Sequence, residues 1–218
     1  MKQWLADHPK AKLMARKRAA ILDAAHAEFM SRGFEGTTME AIAAASKVSI
    51  MTLYRHADDK EDLFREVIAR ACDRAVAAGL SGPDGMSVLP LTEALRARAM
   101  WIQEQMAGRE TVALLRAVML EAKRFPDLAD TALQAVIGTP RDALAAFLAL
   151  REETRRLCPD ERTHLAAAFL DRLVGTDMLA ILLGGHSATA GTREARARAA
   201  AADILAAVQP YAPGRRLV

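Results

Sequence analysis

The chain has little of what strand-rich, exported or catalytic proteins are built from. Aromatic residues are only 5% of its 218 residues, and no stretch alternates apolar and polar positions with period two, so the expected fold is all α rather than β-rich. Cysteine is close to absent. Cys72 and Cys158 are far apart and form neither a CxxC pair nor a zinc spacing, which excludes a disulfide framework and reads as two reduced thiols. No apolar run reaches the ~18–20 residues of a membrane span, and none precedes a cleavage site near Met1. The reading is therefore a cytoplasmic chain, neither exported nor membrane-spanning. Enzyme signatures are missing too: no GxSxG elbow, no phosphate loop ending in Lys-Ser/Thr, no HExxH. His164 beside Asp160 and Glu161, and the run Gly184-Gly185-His186-Ser187, suggest hydrolytic chemistry only in isolation. The second reads more simply as a connection between helices. His56 has no second ligand at metal spacing, and neither metal nor cofactor is expected.

What remains is length, alanine and an uneven charge. A chain of 218 residues can bury a substantial core, in one large domain or two small ones, and its recurrent alanines favour close-packed helices. Residues 1–60 carry ten Lys/Arg against seven Asp/Glu, whereas the other 158 carry twenty of each. Lys2, Lys10, Lys12, Arg16, Lys17 and Arg18 crowd the beginning, so residues 1–12 form a basic arm. Arg16, Lys17 and Arg18 open the first helix, where a phosphate backbone is the natural counterpart. A solvated terminus accounts for residues 1–12 equally well.

Residues 37–63, TTMEAIAAASKVSIMTLYRHADDKEDL, pack the most function into the fewest positions. Thr38 opens a short amphipathic run from Met39 to Ala45, Ser46-Lys47-Val48 makes a turn, and Ser49 is placed to cap a second run, Ile50 to His56. A Ser or Thr before a helical run accepts from backbone N–H groups that otherwise have no partner. Two such starts about eleven residues apart suit two short helices crossing through a tight turn. The second offers only Ile50, Leu53 and Tyr54 for burial and turns Thr52, Arg55 and His56 outward. That is the pattern of a surface that reads DNA.

This stretch resembles the DNA-binding domain of the TetR/AcrR family of transcriptional regulators. The likeness spans residues 16–66. It rests on Gly33-Phe34, Thr37-Thr38, Ile42-Ala43, Val48-Ser49, Thr52-Leu53-Tyr54, His56 and Lys60-Glu61-Asp62-Leu63, in that order and at those spacings. It implies a helix-turn-helix domain at 13–60 and a helical ligand-binding and dimerisation domain at 61–218. The implied protein is a homodimer on a palindromic operator: a ligand-responsive repressor or, on the same fold, an activator. Thr38, Tyr54, His56 and Lys60 match backbone-contacting positions, and their donors suit phosphate. Lys47, Ile50, Met51, Thr52 and Arg55 fall where base edges lie, and the capping Ser49 is a further DNA-binding candidate. Arginine can grip guanine with two bonds, and Thr and the apolar pair suit thymine methyls. Two positions depart from the family pattern. Lys47 stands where glycine is common, at a cost on the order of 1 kcal/mol in a left-handed turn, and Ala57 replaces an aromatic.

The rest reads as helices with clear punctuation: from Asp58 or Asp59 to Ala78, Pro90 to Met106, Arg109 to Arg124, Leu128 to Ile137, Arg141 to Leu157, Pro159 to Leu183, and a last one capped by Thr192 and running to Gln209. Breaks are expected at Gly79 to Gly85, at Phe125-Pro126-Asp127 and at Gly138-Thr139-Pro140. Glu121, Arg124-Phe125-Pro126 and Leu128-Ala129 resemble the ligand-binding domain of the AefR-like branch of the same family. The likeness implies a small apolar or amphipathic effector. Met100, Trp101, Arg116, Met119 and Phe147 are the candidate ligand-binding residues, with Met106, Leu115 and Phe125 as further candidate walls. Dimerisation is expected through the last two helices, at Leu165, Phe169, Leu173, Leu182, Leu205 and Val208. The helix from Lys60 to Ala78 is the expected link between effector and DNA.

Overall fold

A computed structural model describes residues 9–82 and 85–208 of the chain. The basic arm expected at residues 1–12 therefore lies outside the described residues for all but its last turn, as do residues 83–84 and the stretch from Gln209 onward. Among the described residues ten α-helices follow one another: α1 (Pro9–Arg32), α2 (Met39–Ala45), α3 (Ile50–Leu53), α4 (Lys60–Ser81), α5 (Leu91–Ala107), α6 (Arg109–Glu121), α7 (Pro126–Leu133), α8 (Thr139–Ala149), α9 (Pro159–Leu182) and α10 (Ala190–Val208). No strand occurs among the described residues, and none of their helices is long and apolar enough to cross a membrane. Both cysteines are free, Cys72 buried and Cys158 exposed.

The helices sort into two compact units. The first holds residues up to Arg74 together with Ala113–Ala132; the second holds Ala75–Val112 and the residues from Leu133 onward. This differs from a division at residue 60, because the start of α4 and the α6–α7 segment pack with the helix-turn-helix. The reason lies in four phenylalanines. Phe29 of α1, Phe34, Phe64 of α4 and Phe125 are each buried, with ring centroids 5.1 Å (Phe29–Phe64), 5.2 Å (Phe34–Phe64), 5.5 Å (Phe34–Phe125) and 5.3 Å (Phe64–Phe125) apart. Three of these pairs meet edge to face, the arrangement aromatic quadrupoles favour. Ile21, Ile42, Leu53 and Leu63 complete that core.

The second unit closes differently. α5 packs against α9 and α10, and α8 against α9. The buried positions include Ala94, Ala99, Ala166, Ala197, Ala200 and Ala201, so small side chains let the helices approach closely. Gly79 belongs to this scheme. It lies within α4 instead of ending it, and a Cβ there would sit 3.4 Å from both Pro140 and Thr139.

Several boundaries differ from the expected ones for local reasons. α1 starts at Pro9 rather than Arg16, since proline is tolerated in a first turn. Gly138-Thr139-Pro140 does not end a helix. A π turn, Gln134–Gly138, joins α7 to α8 and gives Pro140's ring room it would lack in regular α geometry. Arg141 to Leu157 is not one helix. α8 stops at Ala149, Arg151 is extended, and the buried Thr154 donates back to the Leu148 carbonyl. α10 is capped by Thr189, whose Oγ1 accepts from the Thr192 N–H at 3.2 Å, rather than by Thr192 itself.

Candidate nucleic-acid interface

The helix-turn-helix is set by side-chain caps at both starts. Thr38 Oγ1 accepts from the Ala41 N–H at 3.1 Å, and Ser49 Oγ from the Thr52 N–H at 3.2 Å. In the turn between them Ser46 Oγ donates to the Ile42 carbonyl at 2.7 Å, and Lys47 takes φ +56°, the only non-glycine residue among those described with positive φ. This is the left-handed position anticipated for Lys47, and its side chain is exposed. Helix α3 is shorter than expected. Regular geometry ends at Leu53, and Arg55 N–H to Thr52 O and His56 N–H to Leu53 O then close a tighter turn, at 3.2 and 2.8 Å. Leu53 and Ala57 anchor this segment in the core, whereas Met51 is 71% and Tyr54 47% exposed. Arg55 and Ser49 are exposed and Ile50 partly so. Thr52's hydroxyl shares a 2.8 Å hydrogen bond with Ser49 Oγ, so it stabilises the cap as well as facing outward.

The basic residues divide into exposed and engaged ones. Arg16 and Lys17 are exposed on α1. Arg18 is engaged: its guanidinium pairs with Glu66 at 2.6 Å and donates to the His56 carbonyl at 3.5 Å, tying α1 to the end of the reading segment. Its guanidinium therefore acts as a structural brace, a role not expected from the sequence. Lys60 is engaged likewise. Its Nζ donates to the Thr37 carbonyl at 3.1 Å and lies 4.4 Å from the centre of the Phe34 ring, fixing the residue just before the Thr38 cap. His56 is half-buried, and its Nε2 has no partner. Desolvation first, and then the charges of Arg18, Arg55 and Lys17 against an opposing effect of Glu66, hold its imidazole below the usual 6.5.

Arg124, one position of the Arg124-Phe125-Pro126 signature, has a bracing role that the signature does not show. Its guanidinium bonds Glu35 at 2.9 Å and also pairs with Glu61, and lies 4.6 Å from the Phe34 ring centre. Glu35 belongs to the turn before α2 and Glu61 to the first turn of α4, so one side chain spans two edges of the reading unit. The neighbouring Phe125 supplies its fourth ring. Nothing in the sequence placed Arg124, 89 positions from Glu35 and 63 from Glu61, between those two carboxylates.

The candidate ligand residues do not gather. Trp101 lines a cleft of about 350 Å³ of open space, bounded also by Ala75, Ala78, Gly79, Gln105 and Thr111, whose walls include none of the other four. Met119 is corrected: α6 buries Leu114, Ala117 and Val118, a spacing that turns Arg116 and Met119 outward, the latter to 57% exposure. Phe147 is half-buried beside the Arg151 guanidinium, 5.7 Å from its ring centre, Met100 is half-buried away from the cleft, and Phe125 is core. Ala75, Ala78 and Gly79 were missed, although their i, i+3, i+4 spacing marks one small-residue face of a helix. Among the dimer candidates Phe169 and Leu173 are corrected as well. Each is only 2% exposed within its own chain and so belongs to the core. Leu165, Leu182, Leu205 and Val208 are half-buried, and Leu179 and Leu183 show the larger apolar surfaces, 57% and 79% exposed.

With that geometry in place, two family descriptions match this chain. Residues 21–67 match bacterial regulatory proteins of the tetR family, and residues 93–212 match the C-terminal domain of AefR-like transcriptional repressors. The HTH-type transcriptional regulator UidR of Escherichia coli strain K12 is 28% identical over 166 residues, covering 70% of this chain and 75% of UidR. Among solved structures, the flavonoid-responsive regulator FrrA is 32% identical, with a TM-score of 0.72 over 91% of this chain and all of FrrA (100%). A TetR-family regulator from Mesorhizobium loti is 26% identical, with a TM-score of 0.73 over 89% of this chain and 97% of its own.

Proposed function

The chain belongs to the tetR family of bacterial regulatory proteins and is a DNA-binding transcriptional regulator; we propose that it is a cytoplasmic, non-enzymatic repressor that grips a palindromic operator as a homodimer and releases it when a small molecule enters the Trp101 cleft. The observation that carries this reading is the reading segment itself. Met51, Tyr54 and Arg55 stand exposed beyond two capped helix starts, on the unit that also presents Arg16 and Lys17. One four-residue helix touches too few base pairs for useful specificity, and a two-fold pair doubles the site and makes it symmetric. The exposed Leu179 and Leu183, with the half-buried Leu165, Leu182, Leu205 and Val208, support a dimer face on α9 and α10.

The effector cleft narrows the ligand class. Ala75, Ala78 and Gly79 are small lining residues, no charged residue lines the walls, and Gln105, Thr111 and Trp101 are the lining residues with polar groups. An uncharged, flat aromatic molecule with one or two hydroxyls fits that chemistry, and FrrA's description as flavonoid-responsive points the same way. The walls contributed by α4 sit on the helix whose start is held by Asp59 and Lys60, so an occupant that shifts α4 weakens operator binding by its preference for the shifted arrangement. Selection from random duplex DNA by the full chain tests the reading. A two-fold-symmetric consensus supports it, and recovery of no preferred sequence refutes it.

A further inference from the structure

Gln103 of α5 is 6% exposed. Its amide nitrogen donates to the Ala99 carbonyl at 3.3 Å and to the Arg193 carbonyl at 3.0 Å. Those bonds settle which way the carboxamide lies, because the reverse placement would set three acceptor oxygens against one another. The Oε1 is then buried with no donor, a costly condition for an amide oxygen. The same side chain lines a cleft of about 300 Å³ bounded by α5, α9, α10 and the connection holding Ser187 and Ala188. Met106 is the one residue this cleft shares with the Trp101 cleft.

The walls are amphipathic. Leu173, Met178 and Ile181 give an apolar side, and Asp177 and Arg193 give charge. Asp177 is already satisfied: Arg196 meets its two oxygens at 2.5 and 3.0 Å, and those bonds hold the carboxyl below its ordinary range. Arg193 uses its main chain to bond Gln103 and Thr189, but its guanidinium has no acceptor among the described residues. The unused polar functions of the cleft are thus one acceptor, Gln103 Oε1, and one cation, Arg193. Because Oε1 is occluded, an occupant has to open the walls slightly. Gly175 supplies the joint: at φ +40° and ψ −145° it breaks the helical run of α9 between Val174 and Asp177, both of which line the cleft.

We propose that this cleft is a second small-molecule site, distinct from the effector cleft, for an amphipathic anion that pairs its acidic group with Arg193 and donates an N–H or O–H to Gln103 Oε1. The apolar body of such a ligand lies against Leu173, Met178 and Ile181. The site does not depend on the identity of the effector in the Trp101 cleft.

The test uses 8-anilinonaphthalene-1-sulfonate, which carries an apolar ring system, a sulfonate and an anilino N–H, titrated by fluorescence into the full chain. Saturable binding at one site per chain is expected, weakened about tenfold by Arg193→Met, as for loss of a charge-assisted pair. Gln103→Leu should weaken it by a smaller factor and Trp101→Ala should leave it unchanged. Circular dichroism checks each fold, and should Gln103→Leu unfold, the partly exposed Arg193→Met carries the test alone. Unchanged affinity in Arg193→Met overturns the proposal. So does loss of the signal in Trp101→Ala alone, which would place the probe in the other cleft. Binding that tracks only the monomer fraction in sedimentation also overturns it, since a second copy would then cover the cleft.

Discussion

The two compact units solve the same packing problem with different side chains. The reading unit closes on large rings, with Phe29, Phe34, Phe64 and Phe125 accounting for four of the six phenylalanines in the chain. The larger unit closes on alanines, with Ala94, Ala99, Ala166, Ala197, Ala200 and Ala201 at its buried helix faces. Interlocked rings have few alternative arrangements, so the reading segment is held in one pose. Helices meeting through alanines and flexible methionines can slide or part by small amounts and leave clefts such as those on either side of Met106. A regulator needs both properties. Under the proposed function the reading residues keep one geometry on DNA, and the part that takes the ligand has two.

That contrast can be broken by exchanging large for small. Phe64→Ala should have the largest effect, about 3–5 kcal/mol of stability lost, because the other three rings cannot collapse into the space. Denaturant unfolding measures it, and a loss below about 1 kcal/mol would mean that the ring cluster is not the anchor. The reverse exchange in the second unit, Ala99→Leu, should cost about 1–3 kcal/mol by forcing α5 away from α10. A neutral outcome would show that the alanine faces have slack.

Smaller effects sharpen the comparison inside the reading unit. Lys47→Gly should stabilise by about 1 kcal/mol by relieving the left-handed backbone, which raises Tm by roughly 2–4 °C for a chain of this size. An unchanged or lower Tm would mean that the Lys47 side chain gives more than its backbone costs. The smallest effect concerns pH. The folded His56 resists protonation, so as pH falls below 6.5 the unfolded chain takes up a proton the folded chain does not, and stability declines. A DNA phosphate beside His56 works in the opposite direction. Binding then takes up a proton, and operator affinity rises as pH falls from 7 toward 6. His56→Gln should abolish that rise, which a fluorescence-anisotropy series across pH reads directly.

The fold was legible where one residue decides one local geometry. Thr38, Ser49 and Lys47 each act within three or four positions, and all three were readable from the sequence. The all-helical class followed from the missing period-two alternation. What could not be read depends on distant partners. The sequence shows that Phe169 and Leu173 are apolar, but only the packing of α9 shows that they are already buried in their own chain. Met119 looked like a pocket residue because methionine suits pockets, and the register of α6 turned it outward. The Arg124 clasp is a third case, since the turn at Glu35 and the α4 start at Glu61 meet it only in three dimensions.

The proposed role of Arg55, as the main base-discriminating contact of the segment from Ser49 to Arg55, is measured by binding of the full chain, and of Arg55→Ala, to the selected palindrome and to a scrambled duplex at several salt concentrations. The native chain should prefer the palindrome and lose affinity for both duplexes steeply as salt rises, and Arg55→Ala should narrow the preference by about 1–3 kcal/mol with the salt slope reduced by no more than about one contact. Equal affinity of the native chain for both duplexes, or a preference that Arg55→Ala leaves intact, would contradict it.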